Sequence, residues 1–191
     1  MKTIILASAS PRRKEIFEKT GLKFSVDAGN YEEDMDSTLE PHRLARFLSF
    51  QKATNVAHRH ANALVIAADT FIVFKGRLMG KPHTRVEAHK MLKTLNGKMH
   101  SVITGFTVVD TESGKRLSRS VETRVWFKQM TDIEIATYVK SGEPLDKAGA
   151  YAIQGLGSVI VRKIEGDYLN VVGLPLHAVA KALGQFGIKI L

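Results

Sequence analysis

At 191 residues and 44% hydrophobic content, the chain is long enough to bury the core of one domain, and no apolar run approaches the roughly 18 residues that a membrane span needs. It has no cysteine, which excludes a disulfide scaffold, a thiolate metal site and a cysteine nucleophile. The formal net charge of +9 favours an anionic partner, and because the basic residues are spread along the chain with a single tryptophan, a polyphosphate substrate is favoured over nucleic acid.

The first predicted elements are a short buried strand over residues 3–7 and a helix that follows it closely. Ser10 is predicted as the N-cap and Pro11 as the first helical residue, because serine accepts from free backbone N–H groups and proline fits the first turn. Gly21 is the predicted stop, about three turns later. The chain therefore passes from a strand through a tight turn into a helix N-terminus.

The first turn of this helix carries Arg12, Arg13 and Lys14. Because a helix N-terminus is already partially positive, each basic residue there costs a few tenths of a kcal/mol, roughly, unless an anion is bound. A strand leading into a helix N-terminus is the general phosphate-binding geometry, and guanidinium groups add bidentate contacts to phosphate oxygens. The pattern predicts a phosphate site, with a solvated basic turn as the alternative.

Helical and strand-like segments alternate along the rest of the chain, without a linker or an internal repeat. This alternation predicts α/β or α+β architecture around one mixed sheet, as a single domain over residues 1–191. The further predicted elements are a helix from Pro41 to about Arg59, a buried strand from Ala63 to Ala68 that resumes from Phe71 to Phe74, helices capped by Thr84 and Thr131, strands over 102–109 and 118–128, a hairpin formed by 159–163 and 168–172, and a last helix opened by Pro175.

Asp69 stands where the buried strand emerges. A carboxylate at such a place is a catalytic or metal-binding group, or a cap for the next turn. An acidic loop follows the first helix, and alone it would be a solvated face. Paired with Asp69, one of its carboxylates would complete an oxygen-ligand site for Mg²⁺ or Mn²⁺. The acidic residues of this loop are Glu32, Glu33, Asp34 and Asp36.

Lys52 shares an i, i+4 row with Leu44, Leu48 and Val56, so its ammonium stands on the apolar stripe of its helix. Two interpretations stay open: the side chain bends out to solvent, or it points inward as a phosphate contact. Lys81 and Lys147 lie on turns, in Gly80-Lys81-Pro82 and in Asp146-Lys147-Ala148-Gly149. Neither lysine is decisive alone.

Several motifs, in this order and across nearly the whole chain, resemble the Maf family. They are Ser8-x-Ser10-Pro11-Arg12-Arg13, Ala68-Asp69-Thr70, Gly80-Lys81-Pro82, the run from Gly142-Glu143-Pro144 to Tyr151-x-Ile153-Gln154-Gly155, and Gly166-Asp167-Tyr168-x-x-Val171-Val172-Gly173-Leu174-Pro175. The resemblance implies a cytoplasmic nucleoside triphosphate pyrophosphatase that forms a homodimer. The implied fold is an elongated α/β mixed sheet of two lobes with a central cleft, similar to inosine triphosphate pyrophosphatases.

The stretch Ala148-Gly149-Ala150-Tyr151-x-Ile153-Gln154 looks like the family branch that acts on dTTP and UTP, rather than the branch that acts on 7-methylguanosine triphosphate. Residue by residue, the resemblance makes Asp69 catalytic and assigns substrate specificity to Arg12, Thr70 and Gln154. Ala152 departs from the expected glycine. The residues expected to bind phosphate are Ser8, Arg12, Arg13, Lys52, Lys81 and Lys147, and those expected to hold the divalent cation are Glu33 and Asp69.

The expected reaction is attack of water at the α-phosphorus, with release of a nucleoside monophosphate and pyrophosphate. The chain has no P-loop to grip the β and γ groups, which favours cleavage between α and β. The alternative from another class is a regulatory protein of septum formation and cell division arrest that binds nucleotides or nucleic acid without turnover. A third interpretation is a basic RNA- or DNA-binding module, although neither a specific nucleic acid nor a membrane is the expected partner.

Overall fold

The computed structural model of the chain describes residues 2–31 and 39–191. Within these ranges helices and strands alternate, as the sequence predicts. The helices are α1 (Pro11–Glu18), α2 (Pro41–Ala57), α3 (Arg85–Leu95), α4 (Asp132–Lys140), α5 (Tyr168–Val172) and α6 (Leu176–Gly184), and short 3₁₀ helices span Glu143–Asp146, Ala148–Ala150 and Gly155–Val159. The strands are β1 (Thr3–Ala7), β2 (Ser25–Val26), β3 (Ala63–Phe74), β4 (Arg77–Met79), β5 (Met99–Asp110), β6 (Arg116–Phe127) and β7 (Val161–Glu165).

The strands form one mixed sheet in the order β2-β1-β3-β5-β6-β7, with β4 paired to β3. β1 runs parallel to β2 and β3, whereas β4 and β7 pair antiparallel with β3 and β6. In the register of β1 and β3, Ala7 is opposite Ala67. The predicted mixed α/β class is confirmed. Among the described residues, no helix combines the length and apolar character that crossing a membrane requires.

The chain forms two compact units. Unit 1 comprises Met1–Asp69, Thr104–Val121 and Gly173–Leu191, and unit 2 comprises Thr70–Ile103 and Glu122–Val172. The strands β3, β5 and β6 each contribute residues to both units. A single domain over residues 1–191, with two lobes and a cleft, stays a prediction.

The core of unit 1 forms where α2 packs against the sheet. Leu44, Leu48 and Val56 of α2 are fully buried, and a cluster of small and branched side chains from β1, α2 and β3 packs together. At Gly105 of β5 the backbone of Ala45 comes so close that a Cβ atom would overlap it. Glycine is therefore required at this point for helix α2 to lie against β5.

Unit 2 contains a buried aromatic cluster of His100, Phe127 and Tyr151, with ring centroids 4.7–5.3 Å apart in edge-to-face arrangements. The His100 Nε2 atom lies 2.8 Å from the Tyr151 hydroxyl, and the His100 side chain is 1% exposed. Burial lowers the pKa of His100 to about 4, because a protonated imidazole would be poorly solvated there. Burial raises the pKa of the Tyr151 hydroxyl for the same reason.

One predicted element is wrong. Residues 168–172 do not form the second strand of a hairpin; they form the short helix α5, and β7 pairs with β6 instead. The physical reason is Asp167, whose carboxylate accepts hydrogen bonds from the backbone N–H groups of Leu169 and Asn170 at 2.8 and 3.2 Å. An aspartate that satisfies the first N–H groups of a segment in this way starts a helix rather than a strand.

Candidate functional site

The N-terminus of α1 has the geometry that the sequence predicts. Ser10 is the N-cap, and its hydroxyl accepts a hydrogen bond from the backbone N–H of Arg13 at 3.5 Å. Pro11 opens the helix, and its first turn holds no acidic residue. No carboxylate of the first turn therefore offsets the free N–H groups and the positive end of the helix dipole.

Arg13 is held in place by groups of unit 1. Its Nε atom donates to the carbonyl of Gly173 at 2.8 Å, and its Nη1 atom donates to the Ser8 hydroxyl at 3.3 Å. Ser8 is buried and also accepts from the backbone N–H of Ser10 at 3.3 Å. Ser8 and Arg13, both predicted to bind phosphate, are thus in direct contact. Within the described part of the chain, Arg12 is half-buried and has no ion-pair partner.

Lys52 and Asp69 form an ion pair inside unit 1. The Lys52 Nζ atom lies 2.5 Å from Asp69 Oδ1, and the two side chains are 16% and 6% exposed. Lys52 lies on the buried row of α2, as its spacing predicts, and its ammonium contacts a carboxylate rather than bending out to solvent. The pair is nearly dry, so the attraction between the two charges offsets part of the hydration that each has lost.

Ser8 and Asp69 lie one position out of register on two neighbouring parallel segments of the chain. β1 and β3 are parallel with Ala7 opposite Ala67, so Ser8 follows the end of β1, whereas Asp69 lies two residues beyond the last paired position of β3. The prediction that the strand ends before Asp69 is wrong, because β3 continues without a break from Ala63 to Phe74 and Asp69 lies inside it. The carboxyl ends of parallel strands are where α/β folds bind ligands. Within unit 1, the Ser8–Arg13 pair follows the carboxyl end of β1, and the Lys52–Asp69 pair lies on the part of β3 that extends beyond that end.

A carboxylate such as that of Asp69 fits the chemistry of Mg²⁺ or Mn²⁺, hard cations that take one or two protein carboxylates together with substrate phosphates. The second predicted metal residue, Glu33, lies outside the described residues, as do Glu32, Asp34 and Asp36. Over residues 2–31 and 39–191, no group of three or more His, Asp or Glu side chains is arranged to hold a metal ion.

Within unit 2, a backbone hydrogen bond connects the turns that carry Lys81 and Lys147. The backbone N–H of Gly149 donates to the carbonyl of Gly80 at 2.9 Å. Gly149 has a φ of +65°, and a Cβ atom there would overlap the side chain of Ile72 on β3. The two turns and the strand that begins unit 2 with Thr70 therefore meet at Gly149, although no contact between the two lysine side chains is involved.

Gln154 lies in a loop whose backbone is held by hydrogen bonds both before and after this residue. Its backbone is extended, its side chain is exposed, and among the described residues that side chain has no hydrogen-bond partner. Tyr138 and Glu143 contact the flanking backbone at Ala152 and Gly157. The sequence does not predict either contact, because the residues of each pair are 14 positions apart and such a distance leaves no periodic pattern. The one available signal was the pair of glycines after Gln154, Gly155 and Gly157, since glycines often mark a close approach of the backbone to another group.

The comparisons with known proteins agree with these features. A family model described as "Maf-like protein" matches residues 3–186. The chain is 49% identical over 191 residues to the "dTTP/UTP pyrophosphatase" of Methanosarcina barkeri, covering 100% of this chain and 97% of that protein. It is 48% identical to the proteins of the same name from Methanococcoides burtonii and Thermoanaerobacter sp., with coverage of at least 98% on both sides.

The chain is thus a mixed α/β protein with a basic helix N-terminus and a buried acidic residue inside β3, just beyond the part that pairs with the parallel strand β1. It belongs to the Maf family. The structure also aligns with the crystal structure of a "Nucleoside-triphosphatase / dITP/XTP pyrophosphatase" from Mycobacterium abscessus over 97% of each chain, with 12% identity and a TM-score of 0.44. No inference about function follows from so distant a similarity.

Proposed function

We propose that this protein hydrolyses dTTP and UTP to the nucleoside monophosphate and pyrophosphate. The observation that carries the proposal is the nearly buried Asp69 carboxylate, which Lys52 holds inside β3 just beyond the part of this strand that pairs with β1, where the chain of β1 leads into the basic N-terminus of α1. An acidic group beside cationic phosphate ligands is the equipment for attack by water on a phosphoanhydride. The full-length similarity to proteins named dTTP/UTP pyrophosphatase supports the substrate.

In this proposal the basic residues bind the triphosphate. Arg13 offers a guanidinium whose orientation is fixed by Ser8 and the Gly173 carbonyl, and the half-buried Arg12 offers a second guanidinium. A guanidinium matches two phosphate oxygens at once, so a fixed orientation adds geometric selectivity to charge. Ser8, Arg12, Arg13, Lys52, Lys81 and Lys147 make up the proposed phosphate-binding set.

Asp69 is the proposed catalytic residue, which orients or deprotonates the attacking water. Its contact with the Lys52 ammonium fixes the orientation of the carboxylate, as a base requires. Asp69 together with Glu33 would hold a divalent cation, Mg²⁺ or Mn²⁺. When bound, such a cation neutralises charge on the phosphate oxygens.

Gln154 is the proposed base-reading residue, with Arg12 and Thr70 as further specificity residues. The amide of Gln154 offers one acceptor and two donors, which complement the N3–H donor and the flanking carbonyl of uracil or thymine. Cytosine reverses this pattern and would leave buried polar groups unpaired. The exposed, extended placement of Gln154 leaves its amide available to a base.

The test is a screen of the purified protein against canonical and modified nucleoside triphosphates with Mg²⁺ or Mn²⁺, in which pyrophosphate and orthophosphate are measured separately. We expect pyrophosphate from dTTP and UTP, and orthophosphate only after an added pyrophosphatase. Direct release of orthophosphate with a nucleoside diphosphate would contradict the assigned bond. Binding of nucleotides without any turnover would favour the regulatory alternative in septum formation.

Two further expectations belong to the proposal. The protein is expected to act in the cytoplasm, where its proposed substrates are found, and to form a homodimer. Light scattering of the purified protein measures the second, and localisation of a tagged chain measures the first. Neither outcome would alter the residues proposed for catalysis.

A further inference from the structure

We propose that Glu143 is a positioning residue for base recognition. Its carboxylate and the Tyr138 hydroxyl form hydrogen bonds with the backbone on both sides of Gln154, and base selectivity depends on these hydrogen bonds. The inference rests on the proposed function, because it takes Gln154 as the residue that reads the base. Every residue in the argument belongs to unit 2.

The Glu143 carboxylate accepts three hydrogen bonds. Its Oε2 atom accepts from the backbone N–H of Leu156 at 2.9 Å, and its Oε1 atom accepts from the backbone N–H of Gly157 at 2.8 Å. The Tyr138 hydroxyl donates to the same Oε1 atom at 2.8 Å. Bonds to an ionised acceptor are about twice as strong as neutral ones, so the carboxylate anchors the segment that follows Gln154.

The Tyr138 hydroxyl extends this anchor to the other side of Gln154. It accepts a hydrogen bond from the backbone N–H of Ala152 at 3.1 Å while it donates to Glu143. Tyr138 is 3% exposed on α4, and packing therefore fixes its ring. The chain is thus tied two residues before Gln154 and again two and three residues after it.

The glycines of the loop fit this arrangement. Gly155 has a φ of +78°, and a Cβ atom there would come within 2.5 Å of Glu143 Oε2. A Cβ atom at Gly157 would overlap the Ala152 carbonyl and crowd the Tyr138 hydroxyl. Glycine lets the backbone approach the carboxylate and the hydroxyl closely, so the loop is shaped around Glu143 and Tyr138.

The Gln154 side chain lies between these anchors with no partner of its own among the described residues. Because the backbone on both sides of Gln154 is already held, only the side-chain rotamer has to be ordered when a ligand binds, which lowers the entropic cost of binding. Discrimination by hydrogen bonds depends on placing the donor and acceptor correctly. If the anchors are weakened, the gap between uracil and cytosine should narrow.

The main test is Glu143→Gln, which keeps the size of the side chain but puts an amide NH₂ where one oxygen accepts from the backbone. We expect the ratio of kcat/KM for UTP over CTP to fall about tenfold, since at least one backbone donor loses its acceptor. The fall should come mainly from a higher KM for UTP, with kcat within about threefold of wild type, because the catalytic residues are untouched.

A second variant guards against a failure of Glu143→Gln to fold. Tyr138→Phe keeps the ring and removes only the hydroxyl that joins Glu143 to Ala152. It should lower the same ratio, and the double variant should lower it by less than the two single effects combined, because both act through one hydrogen-bonded group.

Glu134→Gln is the matched control. Glu134 lies on the same helix as Tyr138 and accepts three hydrogen bonds, from the N–H and hydroxyl of Thr131 and from Lys128, at 2.8 to 3.1 Å. It completes the capping box of α4 but does not contact the Gln154 loop. This variant should lower thermal stability and leave the UTP to CTP ratio unchanged.

The outcomes separate the two proposals. If the wild type does not hydrolyse UTP, the proposed function fails and the positioning role fails with it. If the wild type prefers UTP, and Gln154→Ala lowers that preference while Glu143→Gln and Tyr138→Phe do not, only the positioning role is overturned. A selectivity loss in Glu134→Gln equal to that in Glu143→Gln would also overturn it, because lost stability would then explain both.

Discussion

Asp69 carries its charge in a nearly buried place, and the Lys52 ammonium is the group that offsets it. A buried charge whose partner is removed is strongly destabilising, whereas the intact pair adds little net stability. A change at either residue therefore acts on two measurable quantities, the reaction rate and the free energy of unfolding. The two effects can be separated, because a purely structural pair would affect only stability.

Asp69→Asn should lower kcat by roughly 10²-fold or more, the range assigned to general acid–base groups. The amide keeps the size of the side chain and a neutral acceptor for Lys52, so the free energy of unfolding should fall by only about 1–3 kcal/mol. Pyrophosphate release at saturating UTP measures the first effect and urea unfolding the second. Asp132→Asn, which removes one carboxylate of an exposed pair with Lys93, serves as the control. A folded and fully active Asp69→Asn protein would refute the catalytic role.

Lys52→Met keeps the apolar stem and removes the ammonium. If Lys52 also contacts phosphate, kcat/KM should fall by the equivalent of about 1.5–3 kcal/mol, the scale of a charge-assisted hydrogen bond. Steady-state kinetics with UTP measure this loss, and Lys93→Met at the exposed pair is the comparison. Wild-type kinetics in Lys52→Met would leave Lys52 as a structural partner of Asp69 alone.

Gln154→Ala tests base recognition directly. The wild type should prefer UTP over CTP by at least ~10²-fold in kcat/KM, as in sites that select by hydrogen bonding. The variant should narrow this gap more than it lowers the rate with UTP, because an exposed side chain is removed from an unchanged backbone. Competition of the two nucleotides in one reaction gives the ratio. Equal turnover of CTP and UTP by the wild type would contradict the proposal that Gln154 recognises the base.

At the residue scale, sequence periodicity placed Lys52 on the buried row of its helix, and the structure agrees. The partner of Lys52 could not be predicted from the sequence. Asp69 belongs to a strand and Lys52 to a helix, and hydrophobic periodicity describes each element by itself but not which residues of two elements meet. The contact between Arg13 and the Gly173 carbonyl, 160 residues apart, was inaccessible for the same reason.

At the scale of elements, local chemistry was predictable wherever a cap stood beside a clear pattern. Ser10 and Thr131 cap α1 and α4, and Thr131 forms a complete capping box with Glu134. The error came over residues 168–172, where a short segment with branched side chains also fits a strand. The capping carboxylate of Asp167 decides the outcome in favour of a helix.

The approach of α2 to β5 gives a prediction at this scale. Gly105→Ala should lower the free energy of unfolding by about 2–3 kcal/mol, because the added methyl meets the backbone of Ala45 and the helix has to shift. Urea unfolding measures the loss. Gly184→Ala is the control: Gly184 ends α6 with no atom near its missing Cβ and should gain up to about 1 kcal/mol. Equal stability of the two variants would contradict the close packing.

For the molecule as a whole, His100 predicts how stability changes with pH. Its pKa of about 4 in the folded chain lies below the ordinary value of 6.5, so the unfolded chain binds more protons between these two values. Stability is therefore full above about pH 6.5 and falls as the pH drops toward 4, by about 3 kcal/mol in total. Asp110, whose pKa the Lys2 ammonium lowers to about 2, acts only at still lower pH.

Urea unfolding at a series of pH values from 7.5 to 4 measures this dependence. His100→Gln should flatten the change between pH 6.5 and about 5, because the unfolded chain no longer takes up this proton. Nearer pH 4 a slope should remain, since the Lys128 ammonium lowers the pKa of Glu134 from 4.5 to about 2. Tyr151→Phe removes the hydroxyl partner but leaves His100 buried, so the slope should persist while stability falls overall. If His100→Gln keeps the full slope, burial of this imidazole is not its cause.

At the scale of the chain, alternation of helices and strands was enough to predict the mixed α/β class, and ordered motifs were enough to predict the family. The division into two compact units could not be predicted from the sequence. Unit 1 is assembled from three separate stretches and unit 2 from two, and no change in composition marks where the chain leaves one for the other.

This division has a consequence for synthesis on the ribosome. The chain passes between the units four times, so all of unit 2 has been made once residue 172 is added, whereas unit 1 waits for residues 173–191. Arg13 must wait for the Gly173 carbonyl, 160 residues later. At ordinary elongation rates this takes roughly 8–32 s. In a nascent chain Arg13 can therefore contact Ser8 early, but the Gly173 carbonyl that fixes its Nε atom is added only after all of unit 2 has been made.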